Sequence, residues 1–309
     1  RQVWRWTAER GGPADALAFI VGAEREDISA VLSDGEAAQS TNSVFGVTRW
    51  RPVERLTATA SLRGDDPDKY EAETTARLSA AYEAGAGFTL SAAWGQGFKT
   101  PTVSHTVCDF CFPAGPSLNL TPERAEGWDV RVSWESPDGR LAGDVTGYRL
   151  EVEDQIAYVF NPDDFTSRYV NLERTRTDGI EALGEARLGE ALALRLTYAW
   201  TDAVDAITGE ELYRVPEHAA SAMLTWREGP ASGTLVVRAE GEQADIEPAT
   251  FTRSRRGGFV VADLAGAYEI AEGLEVTARI DNLTDADFQE VLGFGEFGRG
   301  VFVGLRVSR

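Results

Sequence analysis

No stretch of this chain is apolar over the roughly 20 residues that a membrane-spanning helix needs. Even ALALRLTYAW (Ala191 to Trp200) is interrupted by Arg195, so a helical membrane protein is excluded. Cysteine is scarce: Cys108 and Cys111 are the only two in 309 residues, too few for a disulfide scaffold. Positive charge is the minority sign, with 30 Lys and Arg against 50 Asp and Glu and a net charge of -20. That balance argues against a nucleic-acid partner, because phosphate binding needs clustered basic side chains. His105 and His218 are the only histidines, and no Ser-His-Asp, Cys-His or paired-carboxylate arrangement stands out, so an enzymatic reading lacks its nucleophile pair. Helical periodicity is nowhere sustained. There is no start methionine and no charged leader, since RQVWRWTAER already reads as strand; the sequence reads as a mature domain or a piece of a longer chain.

What fills the sequence is alternation. In WDVRVSWES (Trp128 to Ser136), Trp128, Val130, Val132 and Trp134 fall on one side of a strand, and Asp129, Arg131, Ser133 and Glu135 fall on the other. About fifteen such segments run from Val3–Glu9 and Ala16–Arg25 to Leu274–Asn282 and Gly300–Val307. Their connections alternate between short and long. Turns with Gly and Pro chemistry, such as GGPAD (Gly11 to Asp15), SPDGR (Ser136 to Arg140) and AEG (Ala271 to Gly273), alternate with long polar segments. The long segments are Glu26–Asn42, Asp65–Glu73, Gly97–Gly127, Asp154–Arg176, Ala203–Glu217, Gly241–Gly258 and Thr284–Arg299.

A Greek-key sandwich has no reason to sort its connections this way. An up-and-down membrane barrel does, with tight periplasmic turns at one end and long extracellular loops at the other. The fold expected is therefore all-β, an antiparallel up-and-down transmembrane β-barrel in contact with the lipid bilayer, its C-terminus on the periplasmic side. Aromatics give a second check: Trp50, Tyr82, Trp134, Trp226 and Tyr268 lie just before short turns, and Trp94, Trp128, Tyr198 and Trp200 lie beside long segments. Two such levels are what interfacial girdles produce. Lipid-facing sets would be Leu56, Ala58, Ala60 and Leu62; Leu192, Leu194, Leu196 and Tyr198; Leu274, Val276, Ala278 and Ile280; and Val301, Val303 and Leu305. Thr57, Thr59, Ser61 and Arg63, and Glu275, Thr277, Arg279 and Asp281, would line the lumen.

Particular words then carry a family likeness. WGQGFKTPT (Trp94 to Thr102) resembles the segment of TonB-dependent outer-membrane receptors where a strand ends in Gly-Phe-Lys/Arg-x-Pro before a long extracellular loop. NLTPERAEGWDV (Asn119 to Val130), YVNLERTRTDGIEA (Tyr169 to Ala182), RVPEHAASAMLTW (Arg214 to Trp226) and DNLTDADFQEVLGFGEFGRGVFVGLRV (Asp281 to Val307) are similar to four further blocks of that family, in order, from about Trp50 to the end. The resemblance implies a Gram-negative outer-membrane importer. An N-terminal plug inside the barrel would bind TonB, and a scarce small-molecule ligand, such as a ferric siderophore, cobalamin or another metal chelate, would enter from outside.

This sequence departs from the family in three ways. It has no plug, no TonB box and no signal sequence; its strand count is odd, whereas plugged transporters have about 22 strands; and it ends in Arg309, where the family usually has an aromatic read by the barrel-assembly machinery. The expectation is a partial barrel of about fifteen strands, residues 1–309 forming one domain with the plug absent and two unpaired edges. A passive porin-like, adhesive or structural outer-membrane barrel is the alternative.

Candidate sites lie in the long segments. His105, Cys108 and Cys111 form H-x-x-C-x-x-C, with Asp109 adding an oxygen; soft ligands at that spacing suit zinc or copper, and a disulfide clipping the loop suits an oxidising compartment. Asp65, Asp66 and Asp68, then Asp163 and Asp164, then Asp202 and Asp205 offer hard oxygens for calcium in the outer loops, against a reading as solvated loop acids. No cofactor is required. Phe110, Phe112, Tyr158, Phe160 and Tyr213 are the aromatic candidates for ligand contact. GFGEFG (Gly293 to Gly298) matches a dinucleotide fingerprint literally but leads into a strand and reads as a flexible loop.

Overall fold

The computed structural model describes residues 1–12, 15–32, 35–108, 111–113, 119–161 and 163–308. Fifteen strands form one antiparallel sheet in strict chain order. They are β1 (Gln2–Arg10), β2 (Leu17–Leu32), β3 (Gly35–Val53), β4 (Leu56–Pro67), β5 (Glu73–Gly85), β6 (Phe88–Lys99), β7 (Glu123–Glu135), β8 (Leu141–Asn161), β9 (Thr166–Arg187) and β10 (Leu192–Asp205). They continue with β11 (His218–Glu228), β12 (Ala231–Glu240), β15 (Phe259–Ala271), β16 (Leu274–Asp281) and β19 (Gly300–Val307). The long connections carry two small hairpins, β13 (Gln243–Ile246) with β14 (Arg253–Arg256) and β17 (Gln289–Val291) with β18 (Phe294–Gly295), and one short helix, α1 (Val103–Val107). β1 and β19 are each hydrogen-bonded along one side, so the sheet is an open wall. No described helix is long and apolar enough to cross a membrane.

Each of the fifteen segments read from alternation is a strand of the main sheet, but two connections are shorter than they read. Most of Glu26–Asn42 continues β2 and β3, and most of Asp154–Arg176 continues β8 and β9, which reach 21 and 22 residues. A tilted strand needs only about 9 to 11 residues to cross a bilayer, so a long part of that hairpin projects beyond it. These segments read as loops because their apolar residues do not alternate with polar ones: Ile156, Ala157, Tyr158, Val159 and Phe160 run consecutively. The five-residue helix α1 is likewise too short to leave a periodic trace.

The two faces of the wall differ as the alternation requires. On one face a cross-strand row runs Trp50, Ala58, Ala80, Ala92, Val130, Gly147, Ile180, Trp200 from β3 to β10. That face exposes Leu62, Leu196, Val301, Val303 and Leu305, with Val303 at 77%. The opposite face is polar: Arg63 bonds Glu24, Ser43 and Asp65, and Arg131 reaches Asp144 at 2.9 Å. Glycines let aromatic rings lie flat on this polar face. A Cβ on Gly22 would stand 2.4 Å from Phe45, and one on Gly179 would stand 2.3 Å from Tyr148.

The buried apolar residues described, among them Val103, Cys108, Cys111, Ala203, Val204 and Ala244, lie at or beyond the long-connection end and not behind the middle of the wall. A water-soluble chain of this size would bury most of its apolar surface in one core. Here the apolar side chains are left for lipid.

Candidate functional site

The longest connection, between β6 and β7, is held down at several points. Thr102 caps α1: its hydroxyl accepts from His105 N at 3.3 Å, while Thr102 N donates to His105 Nδ1 at 3.3 Å. Such a reciprocal box satisfies two otherwise orphaned groups of a one-turn helix. Cys108 closes the helix in the left-handed conformation, at φ 44°, and is joined to Cys111 by a disulfide, with both cysteines buried. The two sulfurs are bonded to each other in this structure, which is the arrangement of the disulfide reading of H-x-x-C-x-x-C.

Beyond the disulfide, Phe112 and Ser167 of β9 exchange backbone bonds of 3.2 and 2.7 Å. Asn171 of β9 bonds both backbone groups of Thr121, and Gln39 of β3 donates to Thr100 at 2.7 Å. The loop therefore bridges the two long hairpins, β2–β3 and β8–β9.

This bracing assembles an aromatic cluster. The His105 ring lies 4.5 Å from Tyr169, which lies 5.6 Å from Tyr158; Phe160 contacts Phe165 at 6.1 Å and Phe251 at 4.9 Å. Of the aromatic candidates, Tyr158 stands in the group with His105 and Tyr169, Phe160 stands in the group with Phe165 and Phe251, Phe112 is joined to Ser167 through its backbone, and Phe110 lies outside the described residues. Tyr213 belongs to a separate group, its ring covered by the Arg253 guanidinium at 4.9 Å. The sequence reading missed Tyr169, Phe165 and Phe251. Tyr169 sits in a recognised word, and only the cross-strand register that puts it opposite Tyr158 reveals its place.

The acidic candidates do not converge. Asp65 is buried on the polar face, bonded to Ser43 at 2.6 Å and to Arg63 at 2.9 Å; Asp66, next along the strand, points the other way. Asp164 accepts from Thr166 at the β8–β9 turn, and Asp205 accepts from Ile207 and Thr208. No group of three His, Cys, Asp or Glu among the described residues is placed to hold a metal ion. The GFGEFG segment does not form a flexible loop throughout: Phe294 and Gly295 pair with β17 in a hairpin.

His105 makes this site sensitive to acid. Burial holds its imidazole below the ordinary histidine value, nearby Lys99 adds to the lowering, and Glu123 opposes it. Above the ordinary value, about 6.5, the ring is neutral folded or unfolded. Acidification places a proton on Nδ1, which can then no longer accept from Thr102. The local order is thus complete at neutral pH and lost as pH falls through the lowered pKa. Amide exchange at Thr102 should accelerate between pH 7 and pH 5, after correction for intrinsic rates. His105→Gln should abolish that dependence; an unchanged pH dependence in the variant would assign it to another group.

A family model described as TonB dependent receptor-like, beta-barrel matches residues 6–283. The chain belongs to this TonB-dependent receptor family. The ferric enterobactin receptor of Pseudomonas aeruginosa in complex with enterobactin superimposes with a TM-score of 0.81 at 16% identity, over 99% of this chain and 53% of that one. The siderophore receptor PirA of Acinetobacter baumannii gives 0.80 at 13% identity, over 99% and 54%. The copper transporter OprC gives 0.76 at 18% identity, over 99% and 55%. This TonB-dependent receptor chain spans little more than half the length of those structures. The family is one of transport receptors of the Gram-negative outer membrane.

The recognised words now have structural reasons. Lys99 and Glu123, from the first two words, are cross-strand partners in an ion pair of 3.2 Å. Gly179 makes room for Tyr148. His218 shares a 2.9 Å hydrogen bond with Tyr198 in the outer aromatic belt. Asn282 is buried, donates to the carbonyls of Ala286 and Phe297, and accepts from Ala286 N, pinning the last long connection.

Proposed function

We propose that this chain is the ligand-selecting wall of an outer-membrane active transporter, which takes up a scarce ligand such as a ferric siderophore or cobalamin with energy delivered through TonB. The observation that carries this reading is the braced cluster of His105, Tyr158 and Tyr169 at the long-connection end, above a polar lumen wall. Flat aromatic faces held by a disulfide and inter-strand bonds lose little entropy when they grip a rigid, aromatic or macrocyclic chelate. The charges of the lumen face stay solvated only beside water or a polar plug. The ferric enterobactin and siderophore receptors with the same fold support the ligand class.

Binding of ferric enterobactin, a copper salt and cobalamin to the full-length receptor by calorimetry tests this reading. Tyr158→Ala and Tyr169→Ala are each expected to weaken the ligand that binds by about tenfold, the loss of one stacked ring. Uptake that persists in cells lacking TonB would favour a passive porin-like barrel instead.

A further inference from the structure

The charge of this chain is sorted along its strands. The seven long segments, from Glu26–Asn42 to Thr284–Arg299, carry 27 Asp and Glu against 11 Lys and Arg, a net -16 of the total -20. The rest of the chain carries 23 against 19 and is close to neutral. A charge that served solubility alone would have no reason to gather at the end where the aromatic cluster stands.

Ion pairing sharpens the asymmetry. Lys99, Arg124, Arg174, Arg214, Arg255 and Arg256 each already hold a carboxylate of the chain itself. Most cations that could receive an anion are thus spent on the protein's own acids. Among the described residues, no Lys or Arg forms an ion pair with Asp66, Asp68, Asp163, Asp287 or Glu296, and all five are exposed. They belong to the β4–β5, β8–β9 and β16–β19 connections, spread along the rim, so the field is not that of one local cluster.

The aromatic cluster suits the same sign. Ring faces carry the negative side of their quadrupole and attract cations, and Tyr158 is 46% exposed beside Tyr169, which in turn contacts His105. At neutral pH the His105 ring is uncharged, and Lys99 is neutralised by Glu123. Nothing in the cluster offsets the acids around it.

We propose that the ligand taken at this mouth carries net positive charge, as a metal chelate with a pendant ammonium does, and that the field of the long connections turns anionic chelates away. The proposal deepens the transport reading above and rests on it for the existence of a ligand; the field does not depend on it.

Two measurements on the full-length receptor keep these apart. In the first, fluorinated tyrosines are assigned by the loss of signals in Tyr158→Phe and Tyr169→Phe, and paramagnetic broadening by an ammonium nitroxide is compared with that by a carboxylate nitroxide of the same size. At about 20 mM salt the cation should broaden both signals about fivefold more, and the difference should close at about 0.5 M salt, where screening shortens to about 4 Å. Combining Asp66→Lys, Asp163→Lys and Asp287→Lys should cut the ratio to about two or less, with circular dichroism showing that the sheet is kept. In the second, an iron tris-hydroxamate with a pendant ammonium is titrated against the same chelate succinylated to a carboxylate. The cation should bind about tenfold more tightly at low salt. Equal broadening by the two nitroxides at low salt, an unchanged ratio in the folded triple variant, or tighter binding of the carboxylate chelate would overturn the proposal. A fivefold nitroxide difference with neither chelate bound would support the charge rule and count only against iron chelates as the cargo.

Discussion

Replacing Asp245 with Ala is expected to loosen three long connections at once. Asp245 is fully buried in the β13–β14 hairpin and accepts from Ile246 N at 2.8 Å, from Leu292 N at 2.8 Å and from Arg214 Nε at 3.0 Å. Arg214 comes from the connection before β11, and Leu292 from the one before β19. Nearby, Gln243 donates to the Glu290 carbonyl and Arg238 of β12 pairs with Glu290, so the connection before β19 is tied a second time to the β12–β13 segment.

Burial alone would raise the Asp245 pKa, but the amides of Leu292 and Ile246 and the Arg214 guanidinium outweigh it and hold the carboxyl below its usual range. Its stabilisation is therefore present above the ordinary carboxylate value and is lost as pH falls through the lowered one. Removing one partner of a buried pair costs about 3 to 5 kcal/mol, and the half-exposed Arg214 places this case at the lower end. Hydrogen exchange at Ile246 and Leu292 in Asp245→Ala should rise by about a hundredfold at neutral pH, the equivalent of about 3 kcal/mol. Faster exchange confined to β13 and β14, with Leu292 unchanged, would show that the connections order independently.

That hub was not legible in the sequence, whereas the strands around it were. Alternation in segments such as WDVRVSWES reports a surface with lipid on one side and water on the other, and that contrast repeats every second residue wherever the wall crosses the bilayer. Outside the bilayer both faces are wet, so the tops of β2, β3, β8 and β9 carry no such contrast and read as loops. The braced β6–β7 connection is half visible in the sequence: Cys108 and Cys111 at a separation of three suit a clip, and Tyr158 and Phe160 stand out as aromatics in a long segment. Their partners Tyr169, Phe165 and Phe251 lie across strand registers or in other connections, which local spacing does not encode. Asp245 lies in a polar stretch, QADIE, indistinguishable from any solvated loop until Arg214 and Leu292 are brought to it from 31 and 47 residues away.

A charge placed on the lipid face should be far more costly than the same charge one residue away. Leu196 lies on the apolar side of β10, opposite Ala222 of β11 and Gly184 of β9, midway between Leu192, which pairs with Trp226 of the short-turn belt, and Trp200 of the long-connection belt. Thr197 faces the other way, its hydroxyl 2.6 Å from that of Ser221. Arg at the mid-plane of a barrel's lipid face costs about 2 to 4 kcal/mol. At position 197 the guanidinium enters a face that already solvates Arg195 through Glu185, at 2.6 Å. In the full-length receptor refolded into phospholipid vesicles, Leu196→Arg should lower the unfolding free energy by that amount, and Thr197→Arg by a fraction of it. Equal losses would mean that the wall has water on both sides. A greater loss for Thr197→Arg would reverse the two faces and with them the lumen, because the side-chain period of two leaves no third assignment.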